Sequence, residues 1–424
     1  MRGSQLAVSL AALLALLNAS CSDSVSSSSL ANDRIAIEND ASALSARVTY
    51  FNDSIPLDST SIGYPSAPLW PSAVAPTSAA SQANYNLNLK AEVAPPSING
   101  QPLQATSVAL VGNLAVVSYN MVGNPYLGAI DVIDVTNKNH PVLTSQALFQ
   151  NTDMSAVSVS GANVYAAEAT GDAGFASPAV FEVMTLSGNQ LMLNGNRRMG
   201  LSSFVGTSTA ASATRAYATS GDNGALFVIN PATFTVLNTI PLHDARWVAL
   251  GGGKIVVVQG TPGQISVFDE STLASVGTWS FTGADIAESK STVAVVGGKA
   301  FIAAGSGGVK VLSASTGAVV GSVPRPNPDS LGLSPSVVVT NAVAVDQNVL
   351  FISNGEAGVY LADAAQNFAA TGSETAQAIT MRGKLRFGNL QSVNHVAYSG
   401  GGPGNPGLLI VAAGLGGLKI VQVN

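Results

Sequence analysis

Three histidines, His140, His243 and His395, are the only imidazoles in the chain. Proton transfer near neutral pH would run through them or through a carboxylate with a shifted pKa. His243 opens the segment HDARW, beside Asp244 and Arg246, and His395 follows Asn394 in VNHVAYSG. His140 sits in an Asn-His-Pro turn and reads as a solvated loop residue. Asp153, Thr207, Asp285, Glu288 and Asn341 fall, like these, just ahead of or at the start of an alternating apolar run. Carboxylates grouped with one arginine and two amides could hold a cation or a polar ligand such as a sugar. Paired carboxylates at a suitable separation could serve glycosidic acid–base chemistry. The same residue types also cap strands and solvate loops, and spacing alone sets no distance between any two of them.

Other chemistries find less support. No Gly-x-Ser-x-Gly elbow marks a nucleophile. DNG (Asp222–Gly224) and GDAG (Gly171–Gly174) are fragments of calcium loops without the full alternation of ligands. GGGPGNPG (Gly400–Gly407) lacks the Lys-Ser/Thr of a phosphate loop and lies between two strand-like runs, so it reads as a long hairpin loop. Cys21 is the one cysteine, which leaves no thiolate cage and no disulfide within the chain. No C-x-x-C-H occurs, and Trp70, Trp247 and Trp279 do not recur at a fixed period. Trp70, in APLWPSA, reads as an aromatic that pins its segment to the body. The residues therefore assign no catalytic group, no metal ligand and no cofactor.

The elements that must position the polar residues are repeats. AAGSGGVKVLS (Ala303–Ser313) and AAGLGGLKIVQ (Ala412–Gln422) are one phrase written twice. Weaker copies start at Tyr126, Ser177, Asp222, Thr261 and Gly355. Each is a turn ending in Gly, Pro or Ala, followed by apolar residues at a period of two, the pattern of a strand. Upstream of most copies lies a pair of apolar runs joined by VGN, SGAN, GGGK, VGGK or DQN, residues that accept positive φ in hairpin turns. Downstream lies a more polar strand such as FTVLNTIPL (Phe234–Leu242). Four strands recurring every 40–59 residues or so mark the blade of a propeller. The expected fold is all-β: a seven-bladed β-propeller of four-stranded antiparallel blades over residues 84–424. The last copy is followed by only Val423 and Asn424, so its blade lacks an outer strand, and an open edge invites aggregation. NYNLNLKAEV (Asn84–Val93) alternates correctly and is expected to pair beside LKIVQV (Leu418–Val423), closing the ring with an N-terminal strand. On this register the starts of the inner strands ring the central channel. Asp153, Thr207, His243, Asp244, Arg246, Asp285, Glu288, Asn341, Asn394 and His395 are then the candidates for a ligand site at its mouth.

One unit carries a resemblance. AIDVIDVTNKNHPVLTSQALF (Ala129–Phe149) resembles the repeat of bacterial LVIVD-repeat proteins: a strand of that type, an Asp, an Asn-Pro-like turn and a further strand. The other six units match it mainly in the glycine turn and the third strand. The resemblance implies a β-propeller on an exported or cell-surface protein and lends no catalytic residue.

The first 83 residues differ in texture. Arg2 precedes an apolar run from Leu6 to Leu17, which has the length of a signal peptide and is short for a bilayer span. Ala19-Ser20-Cys21 resembles the lipobox of bacterial lipoproteins, with Asn18 where an aliphatic residue is usual. This implies lipidation at Cys21, with residues 1–20 as the signal peptide, and Ser22 suits outer-membrane sorting. Residues 21–83, rich in Ser, Ala and Pro, read as a tether, with Ala46–Leu57 its strand-like, orderable piece. Only 10% of the 424 residues are charged and the formal charge is -6. Without clustered Lys and Arg a nucleic-acid partner is not expected.

Two functional readings follow. One is an exported, lipid-anchored module of the cell envelope or surface that binds a protein or glycan and touches the membrane only through its lipid. The alternative is a glycan-directed hydrolase or lyase at the channel mouth, which requires at least three of His243, His395, Asp244 and Arg246 in one pocket. A third option, self-association into a surface layer, is permitted by the low charge.

Overall fold

Alternating apolar residues bounded by Gly and Asn favour strands over helices, and the computed structural model is built almost wholly of strands. It describes residues 34–59, 85–287, 289–385, 387–388, 391–401 and 405–424. The expected signal peptide, the lipidation site Cys21, Trp70 and the candidate Glu288 lie outside the described residues.

The strands pair into seven antiparallel sheets, which we number as blades in chain order: residues 104–149, 152–200, 206–241, 245–280, 293–323, 342–385 and 395–423. Blades 1 to 6 each take four consecutive strands. Blade 7 has only three of its own, and Leu87–Val93 supplies the fourth beside Leu418–Val423. Leu87 lies opposite Val423 and Val93 opposite Leu418, while Asn86 and Asn424 exchange backbone hydrogen bonds of 2.9 Å. This is the closure expected from the alternation of residues 84–93. Each inner strand packs beside the next, and His395–Ser399 of blade 7 packs beside Gln104–Val111 of blade 1, so the seven sheets form a closed ring. The molecule is a seven-bladed β-propeller.

Period-two alternation holds the blades together. In Lys254–Gln259 of blade 4, Ile255 and Val257 join the apolar cluster shared with blade 3, while Val256 and Val258 join the one shared with blade 5. Among the described residues there are seven such clusters, one for each interface between neighbouring blades. Each fully buried Val or Leu contributes about 1.5–3 kcal/mol, so every blade depends on its two neighbours.

The twice-written phrase has a geometric cause. Gly305 and Gly414 have φ of 52° and 54°, and Gly308 and Gly417 have φ of 73° and 70°. The left-handed backbone turns the chain tightly enough for Ala304 and Ala413 to donate to the carbonyls of Gly308 and Gly417 (2.7 and 2.8 Å). A side chain at Gly417 would meet the Val93 carbonyl of the closing strand at 2.2 Å.

Part of the stretch read as a tether is built into the ring. Ile35–Glu38 adds a fifth strand outside Val142–Phe149 of blade 1, and Val48–Ile55 adds one outside the closing strand of blade 7. Between them the short helix Ala41–Ser45, capped by Asp40, buries Leu44 in the cluster shared by blades 7 and 1. Residues 34–58 are thus a strap across the seam where the ring closes.

Candidate functional site

The site is made by a repeated irregularity. The inner strands of blades 1 to 4 each carry a β-bulge one turn in, at Thr106, Ser155, Thr207 and Arg246. A bulge adds one unpaired residue and re-aims its side chain. Two of these side chains reach the next blade, and a third reaches the loop that leads to it. Thr106 Oγ1 donates to the Met154 carbonyl (2.9 Å) and Thr207 Oγ1 to the Ala245 carbonyl (2.7 Å). Arg246 Nη1 donates to the carbonyls of Ala284, Ile286 and Ser289 (2.7, 2.9 and 3.0 Å).

Arg246 has little left for a ligand. Its Nε and Nη2 bind Asp244 in a bidentate pair, at 3.0 and 2.8 Å. The guanidinium lies over Gly260, where a Cβ would fall 2.0 Å from it. The pair therefore anchors residues 281–292, the loop between blades 4 and 5, to the inner strand of blade 4.

Next to the bulges runs a second set of staples. Ser107, Ser208 and Thr292 each accept, through the side-chain oxygen, from the backbone N–H of the following blade, at Val157, Val248 and Val343 (3.2, 3.4 and 3.4 Å). His395 does the same between blades 7 and 1, its Nδ1 accepting from Val108 N–H at 3.4 Å. Only a neutral ring with its proton on Nε2 can accept there. Burial, and after it the Lys290 ammonium, push the His395 pKa down to about 3.

The channel is closed by contacts between blades that are not neighbours. Trp247 of blade 4 stacks on His395 of blade 7, with ring centroids 5.2 Å apart and planes at 27°. Lys290, from the loop before blade 5, donates its Nζ to the Thr106 carbonyl of blade 1 at 2.8 Å. Burial lowers the Lys290 pKa to about 8. Outward of these contacts lies a cavity of about 400 Å³, lined by Thr207, Asp244, Arg246, Trp247, Lys290, Asn120, Ser155 and Phe204 among others.

Of the sequence candidates, Thr207, Asp244 and Arg246 line this cavity. His395 lies against Trp247 and is 8% exposed. His243 stands on the rim, its Nδ1 3.0 Å from Asp222, and both side chains are more than half exposed. Asp153 accepts from the Leu127 N–H (2.9 Å), and burial raises its pKa to about 6. Asn341 and Asn394 are clamps: Asn341 Oδ1 accepts from Lys290 N–H (3.3 Å), and Asn394 donates to the Ala105 carbonyl of blade 1 (2.8 Å). Asp285 is exposed on its loop. The hydrolase or lyase reading needs at least three of His243, His395, Asp244 and Arg246 in one pocket, and only Asp244 and Arg246 line the cavity, paired with each other. His140 is the exposed loop residue expected, and its ring stacks on Tyr50 of the strap at 3.7 Å.

Sequence reasoning missed Asn120, Ser155, Phe204 and Lys290, and took Trp247 only as an isolated aromatic. The bulges aim Ser155, and no residue type announces a bulge. Among the described residues no group of three His, Cys, Asp or Glu side chains could hold a metal ion, and no helix is long and apolar enough to cross a membrane.

No protein-family model matches the chain, and no curated protein matches it. Among solved structures it is similar to BamB from Moraxella catarrhalis, at 13% identity over 81% of this chain and 89% of that one, with a TM-score of 0.46. It is similar to the WD40 β-propeller domain of Doa1, at 10% identity over 78% and 95%, TM-score 0.48. It is also similar to the computationally designed Ika8 protein, at 14% identity over 77% and 98%, TM-score 0.47.

Proposed function

We propose that this chain is an exported, lipid-anchored propeller of the cell envelope that binds a protein or glycan on the face carrying the channel mouth. One observation carries the reading. Val122, Phe204 and Leu415 are the most exposed large apolar side chains among the described residues, at 74%, 69% and 59%. All three lie in loops of that face: within blade 1, between blades 2 and 3, and within blade 7. Blades 7, 1, 2 and 3 are consecutive around the ring, so the three form an arc on a rigid platform. Large apolar side chains held out into solvent on one face are available for contact with a partner.

The polar groups of the mouth support binding over catalysis. Arg246 is consumed by Asp244 and three carbonyls, and the His395 imidazole serves as a staple. Export and anchoring rest on the Leu6–Leu17 run and the lipobox-like Ala19-Ser20-Cys21, and the LVIVD-like unit at Ala129–Phe149 agrees with them.

The test of the surface is capture from envelope extract by residues 34–424, compared with the variant Val122→Ser/Phe204→Ser/Leu415→Ser. A partner retained by the first and lost by the second supports the reading, and equal capture by both overturns it. Anchoring is tested by lipid labelling in cells, which Cys21→Ser should abolish.

A further inference from the structure

We infer that the mouth cavity binds a carboxylate-bearing sugar, its ring stacked on Trp247 and its carboxylate held by Lys290. This deepens the binding reading above and rests on it, by assigning a ligand class to the cavity itself.

Charge comes first. Lys290 lines the cavity, and among the described residues its Nζ makes one hydrogen bond, to the Thr106 carbonyl. An ammonium has three donors, so two remain. Among the described residues Lys290 has no carboxylate partner, because Asp244 is paired with Arg246 and Asp222 with His243. A cation drawn out of bulk water without a counter-ion is costly. At a cavity wall, an anionic ligand removes that cost on binding.

Shape and hydrogen bonding then narrow the anion. One side of the Trp247 ring is backed by His395, which fixes the indole plane while the residue still lines the cavity. The negative face of an indole attracts the weakly positive C–H face of a sugar ring. Around it are groups with capacity to spare. Ser155 lines the cavity at its bulge, and its hydroxyl has no partner among the described residues. Asn120 accepts from Gln104 through Oδ1, which leaves its amide donors for the cavity. A volume of about 400 Å³ falls in the range of small-molecule sites. An acidic peptide side chain would satisfy Lys290, yet it brings no hydroxyl-bearing ring with a C–H face for Trp247, Ser155 and Asn120.

The test is calorimetry on the full-length protein with three probes: a galacturonate trisaccharide, its uncharged methyl ester, and a glutamate-rich peptide. The acid should bind roughly tenfold or more tightly than the ester, the worth of one charge-assisted hydrogen bond. Lys290→Met should erase that difference by lowering the affinity of the acid toward that of the ester. Ser155→Ala, a milder change in the same cavity lining, should weaken both saccharides by a similar factor, which keeps the test open if Lys290→Met fails to fold. Equal affinity for acid and ester, no binding of either, or Lys290-dependent binding of the peptide in preference to the sugar would overturn the inference. Loss of saccharide binding alongside intact, Phe204-dependent capture of a partner would refute the ligand class while leaving the binding face in place.

Discussion

Trp247 and His395, from blades on opposite sides of the ring, stack at 5.2 Å and close the channel beneath the cavity. The contact makes His395 part of the scaffold, since its Nδ1 also accepts from Val108 of blade 1. An imidazole used this way must stay neutral.

Its pKa of about 3 in the fold, against about 6.5 in an unfolded chain, sets the sign of a pH effect. A depressed folded pKa gives stability that is complete above about pH 6.5 and is lost as the pH falls toward 3. The loss assigned to this one residue is on the order of several kcal/mol at most. Asn at 395 offers an uncharged acceptor near the Nδ1 position. Urea unfolding across this range should therefore show a shallower acid loss for His395→Asn than for the native protein, with the two curves separating below about pH 6.

Arg246 should behave as a brace. Its six hydrogen bonds to Asp244 and the carbonyls of Ala284, Ile286 and Ser289 tie the loop of residues 281–292 to blade 4. Lys cannot reproduce the planar fork. Arg246→Lys should cost roughly 2–3 kcal/mol. Gly260→Ala should reach the same end from the other side, by pushing the guanidinium off its seat. Hydrogen exchange should speed up over residues 281–292 in both variants, with the outer strands unchanged.

The ring and its closing strand were legible because apolar alternation is a local signal, and residues 84–93 show it as plainly as any blade. The site was less so. Thr207 and Arg246 were found because they precede apolar runs, but their direction comes from a register shift that depends on the neighbouring strand. Lys290 lies in the unremarkable stretch AESKS, and its value at the axis comes from reaching Thr106, 184 residues earlier. The strap was read as a tether with one orderable piece because Ser and Ala dominate its surroundings. The partners that fasten it, Asp131 and Glu182, are buried carboxylates inside strands whose need for a cation appears only after folding.

The strap ion pair makes that need measurable. Arg47 Nη1 and Nη2 hold both oxygens of Asp131 at 2.9 and 2.7 Å, and Asp131 is 0% exposed. Arg47→Ala leaves a buried carboxylate without its cation, a loss of about 3–5 kcal/mol. Arg47→Ala/Asp131→Asn removes the stranded charge as well and should recover a good part of that loss. A double-mutant cycle by chemical unfolding checks it: purely additive losses would mean that the strap is held by its backbone pairing alone.

Truncation separates the strap from the closing strand. Removing residues up to Asp58 takes away Leu44, Arg47 and two edge strands, yet leaves Leu87–Val93 on Leu418–Val423 and the ring intact. That form should fold, with a lower melting temperature. Removing residues up to Val93 exposes the hydrogen-bonding edge of Leu418–Val423 and takes Ala91 and Val93 out of the apolar cluster shared by blades 7 and 1. An unpaired apolar edge seeks another strand, so this second form should aggregate or pair between molecules. Sedimentation compares the two. A monomeric, cooperatively folded protein lacking residues 1–93 would show that blade 7 does not need the strand that closes it.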